Sequence, residues 1–322
     1  MTLRIISVTL LAFLLTASRF ATAQRPQQRP GQNPAEAMMQ EMKKQQEKMF
    51  RAMFGERDDV TDAQLAKISV SLDEEKKFGA KVLEYYLNTL KAKGYQLVEE
   101  GKDVGYLREL IETIRKKNDI TKRYRTLRVI LADSPEIEAM TIVGGTIVVH
   151  RGLLDFVESE AELAGVLGHE LSHLERNHLT RPIRRAKYFE STVAGGGFSM
   201  EKMFSMFDVM FDQFLRPFRP EDEAEADRDG AKWIYELGYD PRALARMFER
   251  IGRKKNGADV VMLPMFQSHP KFSERQRDVL QVYDQLQKKR PKKNLELGVK
   301  NLADRRPLFG KNVGKNLGGR AP

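Results

Sequence analysis

The segment His169-Glu170-Leu171-Ser172-His173 constrains the fold of this chain more than any other. In a helix, residues four positions apart lie on the same face, so His169 and His173 can direct two imidazoles at one metal ion. Glu170 lies beside them, within reach of a water at that ion. A chain with only five histidines in 322 residues rarely carries this pattern by chance. The pattern predicts a metal-binding helix.

The residues around this motif predict a helix that is buried on most sides. They form an apolar surface wider than one amphipathic stripe, and no proline interrupts them. The alternative is a surface helix that happens to carry two histidines, and the wide apolar surface argues against it. The apolar residues are Ala161, Leu163, Ala164, Val166, Leu167, Leu171 and Leu174.

The first 23 residues have the pattern of a secretory signal peptide. Arg4 precedes an apolar run from Ile5 to Leu15, and Ala21-Thr22-Ala23 forms a cleavage site before Gln24. We therefore expect a periplasmic or secreted protein, with an uncleaved membrane anchor as the alternative. The apolar run is short for a membrane span.

Cysteine usage and charge limit the chemistry. The chain has no cysteine, so a metal site must use histidines and carboxylates, which suits hydrolytic rather than structural zinc. The net charge of +10 permits nucleic acid or an anionic surface as partner. However, the basic residues are spread out and no nucleic-acid motif accompanies them. We therefore predict no nucleic-acid binding and make no prediction of oligomeric state.

The whole chain divides into four predicted regions. After the signal peptide (1–23), residues 24–59 read as a disordered Pro/Gln-rich linker and a Met-rich helix, and residues 60–288 as the folded domain. Residues 289–322 read as a basic, flexible tail. Within the domain we predict strands at 127–131 and 142–149. The helix that carries the histidine motif is predicted to end before Pro182. Further helices are predicted at 71–93, 103–117, 221–238 and 241–252, and a final helix is predicted to end at about 288.

Residues 198–218 form a Met/Phe-rich segment that follows Gly195-Gly196-Gly197. One interpretation is a helix packed inside the domain. The others are a mobile lid over the active site, or a surface that makes peripheral contact with a membrane or with unfolded substrate. The sequence leaves these interpretations open.

A catalytic zinc site needs a third protein ligand besides the two histidines. His178 follows His173 by five residues and so does not match the metzincin spacing of six. We therefore expect a carboxylate from a second helix, with Glu223 as the best candidate. Asp227 lies one turn later on the same face and can support a zinc-binding histidine.

Several ordered motifs resemble the HtpX/BepA-type zinc endopeptidases, gluzincins related to the Ste-type prenyl-protein endopeptidases. Gly-Gly-x-Ile-x-Val precedes Arg-Gly-Leu-Leu, and Glu-Leu-Ala-x-Val-Leu-Gly leads into the histidine motif. Glu-x-Glu-Ala-Asp-x-x-Gly and Ser-His-Pro follow, so the similarity covers about residues 70–285. The resemblance implies a mainly helical α+β fold of the zincin type, with a small β-sheet next to the H-E-x-x-H helix.

The resemblance also implies roles for individual residues. Glu170 becomes the general base, and Asp227 supports a ligand from outside the first coordination shell. His269, in Ser-His-Pro, is expected near the cleft, either to stabilise the oxyanion or to regulate access to the metal. One zinc ion per chain is expected, bound by His169, His173 and Glu223.

The chain also departs from the family pattern. Glu138-Ala139-Met140-Thr141 stands where family members often have an Asn-Ala-Phe-Ala-like run, which puts substrate contacts there in doubt. The multi-helix membrane segments of HtpX and the C-terminal repeat domain of BepA have no counterpart. We therefore expect the catalytic module with short tails.

The predicted function is zinc-dependent hydrolysis of peptide bonds in envelope or misfolded proteins. The strand at 142–149 could pair with an extended substrate by strand addition. The alternative is an exported, chaperone-like assembly or binding factor with a blocked or weakly active zinc site. His150 and His178 are expected to be ordinary surface or boundary residues.

Overall fold

The computed structural model describes residues 61–192, 218–255 and 272–310, which all belong to one unit spanning residues 53–322. The predicted signal peptide, the linker and Met-rich helix, His269 and nearly all of the 198–218 segment lie outside the described residues. No described helix is long and apolar enough to cross a membrane.

The described residues form a mainly helical α+β domain, which confirms the predicted fold class. The helices predicted at 71–93, 103–117, 221–238 and 241–252 and the one ending near 288 all occur; for example, Ser71 caps the first of them in a reciprocal capping box with Glu74. The helices are α1 (Asp62–Ala66), α2 (Leu72–Ala92), α3 (Lys102–Asn118), α4 (Arg151–Phe156), α5 (Glu160–Glu175), α6 (Arg181–Thr192), α7 (Pro220–Leu237), α8 (Arg242–Lys255), α9 (Phe272–Lys289) and α10 (Val299–Asp304).

Four strands form one small sheet in the order β1-β2-β4-β3. Strand β4 pairs in parallel with β2 and antiparallel with β3, and β1 pairs antiparallel with β2. The prediction of a strand at 142–149 was wrong in one respect, because Gly144 and Gly145 form a turn with positive φ angles between β3 and β4. The strands are β1 (Leu97–Val98), β2 (Arg128–Ala132), β3 (Ala139–Ile142) and β4 (Thr146–His150).

This topology changes which strand can accept a substrate. Strand β4 lies inside the sheet with partners on both sides, so it has no free edge. Strand β3 is an edge strand and lies next to α5, the helix that carries the histidine motif. The strand available for addition is therefore β3.

Helix α5 lies in the middle of the domain, as the wide apolar surface predicted. Every residue from Glu160 to Leu174 is buried. Helix α7 crosses it at a very close approach of two glycines: a Cβ atom on Gly230 would lie 2.9 Å from the backbone nitrogen of His169, and one on Gly168 would lie 3.0 Å from Cα of Gly230. This glycine contact brings the start of α7 beside the two histidines.

Helix α5 ends earlier than the sequence predicted. It stops at Glu175, and Asn177 then adopts a left-handed conformation with φ of 59°. A short 3-10 turn over His178–Thr180 leads into α6. Pro182 does not end a helix; it lies in the first turn of α6, where a missing N–H has little cost.

The segment after α9 differs from the predicted flexible tail. Residues 290–310 pack along the domain, and their helix α10 buries Leu302 in the core. The backbone N–H of Ala161 donates to the carbonyl of Leu297, and the N–H of Leu308 donates to Glu160 at 2.7 Å. The segment is therefore tied to the first turn of α5.

Candidate metal centre

The two histidines of the motif point the same way from α5. Nε2 of His169 lies 3.1 Å from Nε2 of His173. Both side chains are at least nine-tenths buried. The helical spacing therefore brings two ring nitrogens to one point, as the sequence predicted.

Helix α7 brings Glu223 to the same point. Its Oε2 lies 3.4 Å from Nε2 of His169, and its Oε1 lies 3.6 Å from Nε2 of His173. Two ligand atoms bound tetrahedrally to zinc at about 2.0–2.1 Å are about 3.4 Å apart. The separations among the three side chains thus fit one tetrahedral zinc ion.

The electrostatics also favour a cation at this point. Burial lowers the pKa of His169, but the carboxylates of Asp227 and Glu223 outweigh it and raise that pKa to about 10. Glu223 itself is fully buried. A buried carboxylate beside two imidazoles is the donor set of catalytic rather than structural zinc.

The other ring nitrogen of His169 is held by a carboxylate. Nδ1 lies 2.8 Å from Oδ1 of Asp227, which lies one turn after Glu223 on α7. Arg275 donates to both oxygens of Asp227 at 2.7 Å. Burial raises the pKa of Asp227, but Arg275 and His169 outweigh it and lower that pKa, so this carboxylate stays charged. Asp227 therefore lies where it can hold the ring of His169 in one orientation.

The other ring nitrogen of His173 is held by a second histidine. Its Nδ1 lies 3.0 Å from Nδ1 of His178, and the ring of Phe218 stacks on His173 at 3.7 Å between centroids. His178 has a side chain only 7% exposed. It is a close neighbour of the site, more than the ordinary boundary residue that the sequence suggested.

Glu170 is fixed beside these side chains by the edge strand. The backbone N–H of Thr141 donates to Oε2 of Glu170 at 2.8 Å, and the Thr141 hydroxyl donates to the carbonyl of Glu170 at 3.2 Å. Burial raises the pKa of Glu170 to about 7. A carboxylate with a pKa near neutrality can take up and release a proton at physiological pH.

A pocket opens at these groups, bounded by the sheet edge and α8. In the antiparallel β3–β4 pair, His150 donates to the carbonyl of Glu138, so the main-chain groups of Ala139 and Thr141 face away from β4. The apolar walls would suit a hydrophobic side chain. The pocket is lined by Ala139, Val166, His169, Glu170, His173, Phe218, Leu244, Met247, Phe248 and Arg275.

His150 is not a surface residue, so that prediction was wrong. It is fully buried at the end of β4, where its Nε2 lies 2.8 Å from the Tyr86 hydroxyl and its Nδ1 contacts the Ser134 hydroxyl. Burial lowers the pKa of His150 to about 4, so the ring is neutral. It stabilises the fold beneath the site.

Four neighbours of the site have no role assigned by the sequence motifs: Thr141, His178, Phe218 and Arg275. Three of them gave a signal, because Thr141 lies in the 138–141 run, His178 follows His173 by five residues, and Phe218 ends the 198–218 segment, for which a lid over the site was one interpretation. Arg275 belongs to no motif and reaches the site through tertiary packing. His269 lies outside the described residues, so its expected role stays a prediction.

Residues 102–282 match the sequence profile of Peptidase family M48, which is more than half of the chain. The chain belongs to this family. Its members are metalloproteases that in general depend on zinc. The match spans strands β2 to β4, helices α5 and α7 and the first part of α9, and therefore all the described side chains of the candidate site.

Named relatives are metallopeptidases too. Mitochondrial metalloendopeptidase OMA1 of Arabidopsis thaliana is 32% identical over 126 residues, 39% of this chain and 26% of the relative. The beta-barrel assembly-enhancing protease of Escherichia coli is 27% identical over 132 residues, 38% and 27% of the two chains. Metalloprotease LoiP of E. coli is 25% identical over 152 residues, 45% and 58%. The chain thus spans about a quarter of the length of the first two relatives.

Proposed function

We propose that this protein is a zinc-dependent metalloendopeptidase that hydrolyses peptide bonds in envelope or misfolded proteins. The convergence of His169, His173 and Glu223 at tetrahedral separations, with Glu170 next to them, is the observation that carries the proposal. A pure scaffold has no need of a buried carboxylate in that position.

The chain's own residues divide the work of hydrolysis. A bound zinc ion supplies Lewis-acid chemistry: it lowers the pKa of a water and polarises a carbonyl. Glu170 accepts the proton of the attacking water and later gives it to the leaving amine. Thr141 holds this carboxylate, and Asp227 keeps His169 oriented toward the ion.

The edge strand β3 supplies a binding surface for an extended substrate. The outward main-chain groups of Ala139 and the outward carbonyl of Thr141 can pair with a peptide backbone and hold it across the pocket, while the Thr141 N–H stays on Glu170. Leu244, Met247 and Phe248 would contact a substrate side chain. This arrangement favours peptide over small-molecule substrates.

The envelope location rests on two supports. The first is the signal-peptide pattern of residues 1–23. The second is the name of a relative, the beta-barrel assembly-enhancing protease, since β-barrels of the bacterial outer membrane are envelope proteins. Cell fractionation followed by N-terminal sequencing tests this part: recovery in the cytoplasmic fraction with residue 1 intact would contradict it.

The proposal is tested with casein and an envelope extract as substrates. The native protein, Glu170→Gln and Glu221→Gln are compared, and zinc content is measured on each preparation. Glu221 is an exposed carboxylate on α7 away from the pocket and serves as the control. We expect cleavage by the native and control proteins, and loss of cleavage with zinc retained in Glu170→Gln. Zinc-loaded native protein that cleaves nothing would favour an assembly or binding factor instead.

A further inference from the structure

A chain of hydrogen bonds leads away from the candidate metal centre through His178. Nε2 of His173 faces His169 and Glu223, whereas its Nδ1 lies 3.0 Å from Nδ1 of His178. Nε2 of His178 in turn lies 3.2 Å from Oε2 of Glu225, on α7. Nothing in the sequence motifs assigns a role to His178 or Glu225.

The chemistry of imidazole fixes the direction of this chain. A hydrogen bond between two ring nitrogens needs one N–H and one lone pair. A histidine that binds a cation through Nε2 carries its proton on Nδ1, so His173 is the donor and Nδ1 of His178 is the acceptor. His178 then carries its own proton on Nε2, which donates to Glu225. One carboxylate thus sets the tautomers of two rings.

The surroundings hold this arrangement in place. The side chain of His178 is 7% exposed, while Glu225 is 37% exposed and also lies 3.4 Å from Arg176. Phe218 covers His173 from one side with its ring stacked at 17° to the imidazole. The bond between the two histidines is therefore shielded from water, whereas the carboxylate at its end is not.

The two histidines of the motif receive unlike support. His169 donates to Asp227, a fully buried carboxylate held by Arg275. His173 donates instead to the neutral ring of His178. Of these two rings, the carboxylate of Glu225 contacts only that of His178 and is one hydrogen bond further from the ion. Substitution of such hydrogen-bond partners typically lowers metal affinity or activity by about 10- to 100-fold.

We propose that His178 is a positioning residue for the metal centre. It accepts the Nδ1–H of His173 and so aims the Nε2 lone pair of His173 at the ion, and Glu225 keeps His178 in the tautomer that can accept. The inference rests on the proposed function only in taking the ion to be zinc.

Two substitutions at His178 separate positioning from packing. His178→Phe keeps a ring of similar size but removes the acceptor. His178→Asn loses ring volume, yet places Oδ1 where Nδ1 was, because both atoms are bonded to Cγ. We expect the zinc dissociation constant to rise about 10- to 100-fold in His178→Phe and to stay close to native in His178→Asn.

The measurement is competition for zinc between the purified full chain and a chromophoric chelator, with the visible absorption of the cobalt(II)-substituted protein as a second readout. Native-like affinity in His178→Phe, or equal loss in the Phe and Asn variants, would overturn the proposal. The first result would mean that a ring without an acceptor suffices, and the second that an acceptor at this position does not preserve zinc affinity.

Glu225→Ala and Glu221→Ala give an independent pair on the same face of α7, and both substitutions leave the core untouched. We expect weaker zinc binding in Glu225→Ala than in Glu221→Ala; equal affinities would overturn the proposal even if His178→Phe failed to fold. Peptidase activity is assayed separately. A native protein that binds zinc but cleaves nothing would refute the proposed function and leave these affinity comparisons intact.

Discussion

At the scale of single residues, the candidate site is built from pairs in which one buried polar group fixes another. Asp227 holds His169, Arg275 holds Asp227, and Thr141 holds Glu170. Buried charges in such pairs are stable only together, because removing one partner leaves the other without compensation. The free energy of unfolding should therefore respond sharply to single substitutions here.

Arg275→Met is expected to lower the free energy of unfolding by about 3–5 kcal/mol, because it leaves the buried Asp227 without its cation. Arg253→Met is the matched control, since Arg253 pairs with Glu249 at an exposed site and should change stability by less than about 1 kcal/mol. Urea unfolding followed by circular dichroism measures both. Equal effects of the two substitutions would show that the buried pair is not needed.

His150 predicts a pH dependence of stability. Its pKa is about 4 in the folded chain because of burial, against about 6.5 when unfolded. The stabilisation from the neutral ring is therefore complete above pH about 6.5 and is lost as the pH falls toward 4, by an amount on the order of 3 kcal/mol.

The difference in unfolding free energy between native protein and His150→Gln isolates this contribution. Gln keeps a polar side chain for Tyr86 and Ser134 but does not titrate. The difference should shrink between pH 6.5 and 4 in urea titrations. A difference that stays constant over that range would contradict the assignment of a neutral, buried imidazole.

At the scale of elements, the relation of α5 to α7 decides whether three ligands can meet. The two helices approach so closely at Gly168 and Gly230 that neither position has room for a Cβ atom. Glu223 lies two turns before Gly230 on α7, so any separation of the helices at this contact moves its carboxylate away from the histidines.

Gly230→Ala is expected to lower both stability and zinc affinity, since the added methyl would lie 2.9 Å from the backbone of His169. Gly105→Ala is the control, because nothing lies within 4 Å of the added atom on α3. There the substitution should stabilise the protein by about 0.5–1 kcal/mol. Thermal unfolding should show a lower stability for Gly230→Ala and a higher stability for Gly105→Ala, and zinc competition should show weaker binding only in Gly230→Ala. A stabilising effect of both substitutions would contradict the close contact between α5 and α7.

The sequence predicted the elements better than their contacts. The Ser71 and Glu74 pair predicts the start of α2, and the histidine spacing predicts α5. Both predictions succeed because each pattern involves only residues that are close in sequence. The edge position of β3 depends on strand order, which a local pattern does not contain. Likewise, Arg275 reaches Asp227 across 48 positions of sequence, and the burial of His150 depends on α2 packing over the sheet.

At the scale of the whole molecule, the segment after α9 is part of the domain. Glu160, the first residue of α5, accepts hydrogen bonds from Tyr106, Tyr239 and the N–H of Leu308. These contacts join α3, the end of α7 and the C-terminal segment at the first turn of the helix that carries the histidines. The segment is rich in lysine and glycine, which is why the sequence predicted a flexible tail instead of a packed segment.

Leu302→Ala should therefore cost about 2–4 kcal/mol of stability, because it empties a buried position of the core. Lys300→Ala on the same helix α10 removes a side chain that is 85% exposed and should change stability by less than about 0.5 kcal/mol. Chemical denaturation of both variants tests whether the segment is docked. If the segment were detached from the domain, neither substitution would change the free energy of unfolding.

The proposed activity depends on one zinc ion held by His169, His173 and Glu223. The most direct measurement is an anomalous difference map from crystals of the native protein, with data collected on both sides of the zinc absorption edge. We expect one strong peak per chain, equidistant from the two Nε2 atoms and the Glu223 carboxylate. Zinc-loaded crystals with no peak at these three side chains, or with the peak elsewhere, would refute the proposed zinc site.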